Sequence, residues 1–205
     1  MKILIAVLSC QRDRDLGCHN HARLTYGKDL ADFADLRFFV GGPEPSDLAE
    51  DEVWVDAVDD YVSLPAKTKA ICQYMLRQGY DFVFKADNDT YLIPQDFRGF
   101  MQNCRADVAG SLQGSMEGRP AGKKFGMVIG ARPPSFYPWG GGYLLSRKAA
   151  KLVVDFEHPG VGPEDRMVGA AVIGHKKDLV FETYSGFLAT GGHGGVPHGP
   201  CLPPR

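Results

Sequence analysis

Two short acidic runs stand out by residue type and spacing. Asp87-Asn88-Asp89 places two carboxylates one residue apart, directly after the apolar run Phe82-Val83-Phe84-Lys85-Ala86. Carboxylates that close repel unless a cation lies between them. A hard divalent ion such as Mn²⁺ or Mg²⁺ takes one or two protein carboxylates and completes its shell with phosphate oxygens. The triplet therefore suits a site for a nucleotide diphosphate, and it also suits a plain Asx turn at a strand end. An EF-hand is excluded, because Tyr91 and Leu92 stand where that loop needs Asp or Asn and Gly. The second run, Glu164-Asp165, follows Pro163 in what reads as the first turn of a helix, where the helix dipole favours acids whatever their use. Gly140-Gly141-Gly142, beside Tyr137 and Trp139, offers bare backbone for close approach of a ligand and aromatic faces for stacking on a sugar ring; it also suits a hairpin or a turn into a helix.

The elements around these residues read as alternating strands and helices. Residues 3–8 form a continuous apolar strand, as expected for one buried on both faces. Residues 36–40 are a second strand, stopped by Gly41-Gly42-Pro43, and residues 53–55 a short third. A helix starts near Pro65, with Ser63 as its expected cap, and stops at Gly79; Ile71, Tyr74 and Met75 mark its core face. Residues 82–86 are a strand that runs into the acidic triplet. Beyond residue 110 lie two short strands, one over 126–130. A helix over 147–156 is capped by Ser146, another opens at Pro163 and ends at Gly174, and a last strand covers 178–184. The pattern predicts an α/β fold with a Rossmann-like, mixed, mostly parallel sheet flanked by helices.

Composition sets limits. The chain has 205 residues, the length of one domain, with 44% hydrophobic and 11% aromatic residues, enough for a core. Of its 25 Gly and 14 Pro, 19 and 10 fall in residues 110–205, which argues against a helical bundle. A net charge of −2 gives no general footprint for nucleic acid. No apolar run approaches the roughly 20 residues that span a bilayer. The opening apolar stretch reads as a strand rather than a signal peptide, since no small-residue cleavage site follows it. Five Cys without CxxC spacing argue against a disulfide framework and a structural zinc site, so a reducing compartment is expected. P-loop and dinucleotide fingerprints are absent.

Five segments in order resemble the β-1,3-galactosyltransferase and Fringe-type group of glycosyltransferases. Ala22-Arg23-Leu24-Thr25-Tyr26-Gly27 is loosely similar to I-R-x-T-W-G. Residues 60–68 keep the Tyr, Leu and Lys-Thr of D-x-Y-x-N-L-T-x-K-T, and residues 82–89 are similar to F-V-x-K-x-D-D-D with Asn in the middle. Residues 137–146 are a shortened Y-P-x-Y-x-x-G-G-G-Y-x-x-S, and residues 164–169 are similar to E-D-V-x-x-G with Arg166 in place of the usual apolar residue. The stem, membrane anchor and paired cysteines of Golgi members of the group are missing from the match, so a soluble cytoplasmic protein is expected. The tail beyond Gly186 matches poorly.

The resemblance implies a GT-A-type catalytic domain over 1–205, with a nucleotide-sugar-binding half at 1–109 and an acceptor-binding half at 110–205. It implies a metal-dependent inverting transfer of a hexose, with galactose favoured, from a UDP-sugar to a hydroxyl of an oligosaccharide or glycan. In that reading Asp89 and Asp87 hold Mn²⁺ or Mg²⁺, and His193 or His198 completes the site, although both also fit an exposed tail. Asp87, Asn88, Arg23 and Lys67 contact the nucleotide, although lone basic residues such as the last two are more often solvated surface charges. Trp139, Gly140, Gly141, Gly142 and Glu164 contact the sugars, and Asp165 is the base that takes the acceptor's proton. The alternative is a non-catalytic nucleotide- or carbohydrate-binding module on the same fold.

Overall fold

The computed structural model describes residues 1–115, 122–124, 127–129, 135–158, 160 and 162–189. The chain runs β1 (Ile3–Ser9), α1 (Gln11–Asp15), α2 (His19–Leu24), α3 (Tyr26–Asp29), β2 (Asp35–Val40) and β3 (Glu52–Trp54). It continues through α4 (Leu64–Gln78), β4 (Phe82–Asp87), β5 (Thr90–Leu92), α5 (Pro94–Asn103) and β6 (Val108–Ser115). The rest comprises β7 (Gly122–Lys124), β8 (Met127–Ile129), β9 (Ser135–Ser146), α6 (Arg147–Asp155), α7 (Glu164–Ile173), β10 (Phe181–Thr183) and β11 (Phe187–Ala189).

Seven strands form the main sheet in the order β10-β6-β9-β4-β1-β2-β3. β9 pairs antiparallel with both β4 and β6, and every other pairing in this sheet is parallel, so β9 alone runs against the rest. The expected α/β class with a mixed, mostly parallel sheet is what the molecule has. β1 explains why its sequence is apolar throughout. Leu4, Ala6 and Leu8 enter one core while Ile3, Ile5 and Val7 enter the other. The first core is closed by Ile71 and Met75 of α4, Ala149 and Val153 of α6, and Val168 and Val172 of α7. The second is closed by Ala22 of α2, Tyr26 of α3, and Phe97 and Met101 of α5. Each fully buried aliphatic or aromatic side chain contributes about 1.5–3 kcal/mol by leaving water. Among the described residues no helix is long and apolar enough to cross a membrane.

Local signals mostly act as the sequence suggests. Gly79 ends α4 at φ 74°, a left-handed conformation that costs glycine nothing. Ser146 caps α6 by accepting from Ala149 N at 3.3 Å. Ser63 does not cap α4. Its own N–H instead donates to Asp60 Oδ1 at 2.7 Å, and Pro65 sits in the first turn. Cys18 is disulfide-bonded, contrary to expectation, while Cys10, Cys72 and Cys104 are free thiols. Pairing depends on which sulfurs the fold brings within reach, and local Cys spacing does not report that.

The segment after β1 is tied down by charge. Ser9 Oγ and His19 Nε2 lie 2.7 Å apart, and His19 Nδ1 lies 2.8 Å from Glu52 Oε1. Arg14 Nε donates to Glu52 Oε2 at 2.8 Å. Although the order Ser-His-carboxylate invites a catalytic reading, all three side chains are buried. Burial alone would raise the Glu52 carboxyl, but the hydrogen bonds from Arg14, Ala49 N–H and His19 outweigh it and hold it near 2 against an ordinary 4.5. Its folded pKa is depressed, so its contribution is complete above pH 4.5 and is lost as pH falls towards 2. Glu52→Gln should cost roughly 2 kcal/mol at neutral pH. In urea unfolding, the gap to the parent protein should then close between about pH 5 and about pH 2. A gap that stays constant across that range would refute the assignment.

Candidate active site

Ligands in open α/β sheets bind at the carboxyl ends of the strands. β4 ends there at Asp87, opposite Leu8 of β1, and the acidic triplet follows immediately. A cleft of about 630 Å³ opens at this edge. Asp87 and Asp89 line one part of it, Glu164 and Asp165 of α7 another, and Trp139, Gly140 and Gly141 of β9 the wall between. The fold thus gathers residues that lie more than seventy positions apart in the chain.

Lys85 organises this site. It lies in the middle of β4, fully buried, among the apolar residues Phe82, Val83, Phe84 and Ala86. Its ammonium donates to Asp87 Oδ1 at 2.5 Å, Gly140 O at 2.7 Å and Glu164 Oε1 at 2.8 Å, which uses its three N–H bonds. Burial works to lower the Lys85 pKa, but the two carboxylates overcome it and hold the group above its ordinary value. The carboxyl of Asp87 is raised, first by desolvation and then by the charges of Glu164 and Asp89 against the pull of Lys85. Asp165 is also raised, by burial and then by Glu164.

The glycines divide by role. A Cβ on Gly140 would stand 3.0 Å from Glu164 Oε1 and 3.6 Å from Asp165 Oδ2, so bare backbone at 140 leaves room for both acids. Gly141 lines the cleft, and its carbonyl accepts from Thr90 Oγ1 at 2.5 Å. Gly142 faces the core instead. A Cβ there would lie 2.9 Å from Phe84 Cζ and 3.0 Å from Phe187 Cε2, so packing rather than ligand approach calls for glycine. The triple glycine is therefore part of a twelve-residue strand and neither a hairpin nor a helix-entry turn.

Three other expected contacts sit elsewhere. Arg23 reaches away to Asp51, at 2.6 Å and 2.7 Å, and to Glu52 at 3.3 Å. Lys67 is buried against Asp59 and donates to Ser9 O at 3.0 Å, so it is neither a solvated surface charge nor part of the cleft. Asn88 points its amide at Asp13 Oδ2, 2.6 Å away, and braces the triplet against α1. His193 and His198 lie outside the described residues. The sequence reading missed Lys85 as a site residue, although a lone charge inside an apolar strand was the signal. It also missed Tyr61, Ser111, Gln113 and Arg166, which line the cleft.

Among the described residues no three His, Cys, Asp or Glu side chains are grouped to surround a metal. Asp87 and Asp89 still suit a hard divalent ion that takes its other ligands from phosphate and water. Their donors are all oxygen, and four carboxylates face one cation in the described lining of the cleft.

No protein-family model matches the chain, and no curated protein matches it. Solved structures do. The fold is similar to that of HddC from Yersinia pseudotuberculosis, with a TM-score of 0.50 and 13% identity over 92% of this chain and 93% of that one. A Bacillus anthracis protein assigned as a glucose-1-phosphate thymidylyltransferase, solved with sucrose, matches with a TM-score of 0.49 and 14% identity over 93% and 91% of the two chains. The inositol-1-phosphate CTP transferase from T. maritima matches with a TM-score of 0.49 and 9% identity over 90% and 85%. Such identities speak for the fold alone. The expected membership of the Fringe-type group is corrected: no family model matches the chain, and the fold it is similar to at a TM-score of 0.50 is that of HddC. The five short segments that suggested the group carry no family match. Segments of that kind recur wherever a strand ends in acids and a helix begins with them.

The Lys85 cluster yields a direct test. Lys85→Met leaves Glu164 buried without a counter-charge and should cost about 3–5 kcal/mol in urea unfolding. Adding Glu164→Gln should make the double variant about 1–3 kcal/mol more stable than the sum of the single losses. Strict additivity would show that the two groups do not hold each other.

Proposed function

We propose that the chain is a nucleotide-dependent transferase that uses a divalent cation and moves a sugar from a nucleoside-diphosphate sugar to an acceptor hydroxyl. The observation that carries this reading is the meeting of two unlike acidic pairs in one cleft, with bare backbone and aromatic rings between them. Asp87 and Asp89 are the residues that would hold Mn²⁺ or Mg²⁺. Such an ion, when bound, neutralises charge that grows on a departing diphosphate. A cleft of this size lies within the roughly 300–1,000 Å³ typical of small-molecule sites.

The two acids of α7 differ in what they are free to do. Glu164 is buried and committed to Lys85. Asp165 is half-buried and lines the cleft, with one oxygen accepting from Arg166 N–H at 2.7 Å and the other towards Gly140. Its raised pKa makes it a better acceptor for the proton of an attacking hydroxyl than an ordinary surface carboxylate. With one carboxylate available and its neighbour tied, the geometry favours a single displacement with inversion over a covalent relay. Trp139 lies over Phe187, with ring centroids 5.9 Å apart, which fixes the indole beside Gly140 for contact with a sugar face.

A second reading has the fold likeness in its favour: transfer of a nucleotidyl group onto a polyol or sugar 1-phosphate, as the names of two of the similar structures describe for glucose 1-phosphate and inositol 1-phosphate. The cleft speaks against it, since its described lining carries four acids and one base, a poor setting for two phosphorylated substrates. Product analysis separates the two. Incubation of a UDP-sugar panel with Mn²⁺ should release UDP, whereas nucleoside triphosphate plus sugar 1-phosphate should give no pyrophosphate. Asp165→Asn should lower transfer by about 10²-fold or more, while leaving UDP–Mn²⁺ affinity within about twofold. Pyrophosphate release without UDP release would replace the proposal by the second reading, and full transfer by Asp165→Asn would remove Asp165 as the base.

A further inference from the structure

The charged residues in the described lining of the cleft are acidic but for one. Asp87, Asp89, Glu164 and Asp165 line it, and Arg166 is the one cation among its described lining residues. Arg166 forms no ion pair with a described residue, although Asp165 is its chain neighbour. Its guanidinium instead lies over the ring of Tyr137, 5.1 Å from the centroid. A guanidinium held on an aromatic face keeps its edge donors free and is partly stripped of water, so it is prepared for a two-point contact with a carboxylate or phosphate.

Its placement is built into the packing. Gly169, three residues on, lets α7 approach β9 so closely that a Cβ there would stand 1.9 Å from Phe136 O and 2.7 Å from Tyr137 Cβ. That approach sets the first turns of α7 against Tyr137. Across the β6–β9 ladder, Tyr137 stands opposite Gln113, whose amide donates to Ser111 Oγ at 3.1 Å, and both of these residues line the same cleft. Arg166, Tyr137, Gln113 and Ser111 thus form one wall made of a cation, a ring, an amide and a hydroxyl. The wall lies on the far side of Asp165 in the chain from Glu164 and its Lys85 link to Asp87.

We propose that this wall is the acceptor subsite and that Arg166 selects an acceptor sugar bearing a negative group, either a carboxylate or a phosphate. This rests on the sugar-transfer reading above, because only there does the Asp165 side of the cleft receive the acceptor. The diphosphate of a donor belongs at the other end, with Asp87 and Asp89. An anion at Arg166 also offsets a positive charge that would otherwise sit beside the base.

The test is equilibrium binding of three small saccharides, followed by saturation-transfer NMR and calorimetry: methyl β-glucuronide, glucose 6-phosphate and methyl β-glucoside. Each is measured with UDP and Mn²⁺ present and again without them. At least one anionic sugar should bind about tenfold tighter than the neutral glucoside, equivalent to about 1.4 kcal/mol. The better of the two tells carboxylate from phosphate. Arg166→Gln, at an exposed position, should bring anionic and neutral sugars to parity, and Arg166→Lys should keep only part of the preference. Equal binding of all three, no binding of any, or a preference that survives in Arg166→Gln would overturn the proposal. UDP–Mn²⁺ binding is recorded in the same titrations. Its absence would count against the transferase reading, while the saccharide preference measured without nucleotide still decides the role of Arg166.

Discussion

A buried ammonium is the constraint from which the site follows. Moving a lysine charge out of water costs several kcal/mol, and attraction to partners recovers this only when every donor is met. Lys85 meets all three of its donors with Asp87, Glu164 and the Gly140 carbonyl. These belong to three different elements, β4, α7 and β9. Each must therefore arrive at one point, and each brings a cleft residue with it. Asp87 carries the acidic triplet, Glu164 carries Asp165 and Arg166, and Gly140 carries Trp139. The net stability of such an ion set is small, because desolvation offsets attraction. Its effect lies in location, since any arrangement that separated these elements would leave a charge unmatched in the interior.

β9 is what makes that convergence reachable. An all-parallel sheet would bring each new strand to the cleft by its C-terminal end, after a crossover. Because β9 runs the other way, it enters at the cleft and leaves towards α6. Its middle residues Gly140 and Gly141 therefore pass beside the end of β4, with Ala86 paired to Gly142. α7 then returns against the same strand. The glycines answer separate demands along this one element: room for carboxylates at 140 and room for Phe84 and Phe187 at 142. A register shift in the β6 partner between Gly110 and Leu112 adds twist where the two strands pass the cleft.

These facts explain which parts were legible in the sequence. β1, β2 and β4 announce themselves as apolar runs because both faces are covered, and α4 and α6 show their ends through Gly79 and Ser146. β6 and β9 were hard to read because glycine, proline and polar residues serve a cleft wall on one face and erase the alternation that marks a strand. α5 carried a readable signal in Pro94 at its first turn, with Phe97 and Met101 one turn apart, yet no chemistry drew attention to it. Among site residues, acids and bare glycines were found because their chemistry is unusual wherever they occur. Arg23 and Lys67 misled because a basic residue near a candidate phosphate site has many available partners, and only folding shows which acid claims it. Asp51 and Glu52 claim the first, and Asp59 the second.

That distribution of bases bears on the chemistry. The carboxyl edge of the sheet is not short of cations: Arg14, Arg23, Lys67 and Lys85 all lie near it. Each is committed to an acid of the protein, with Arg14 and Arg23 on Glu52, Lys67 on Asp59, and Lys85 on Asp87 and Glu164. A cleft that recognised diphosphate with side-chain cations would leave at least one of them unpaired towards the ligand. Here the chain instead leaves carboxylates facing the cleft, and a polyanion can approach carboxylates only through an intervening cation. In the proposed reading, donor binding is therefore conditional on a metal ion. The same reading leaves Arg166, the one cation in the described lining and in no ion pair with a described acid, for the other substrate.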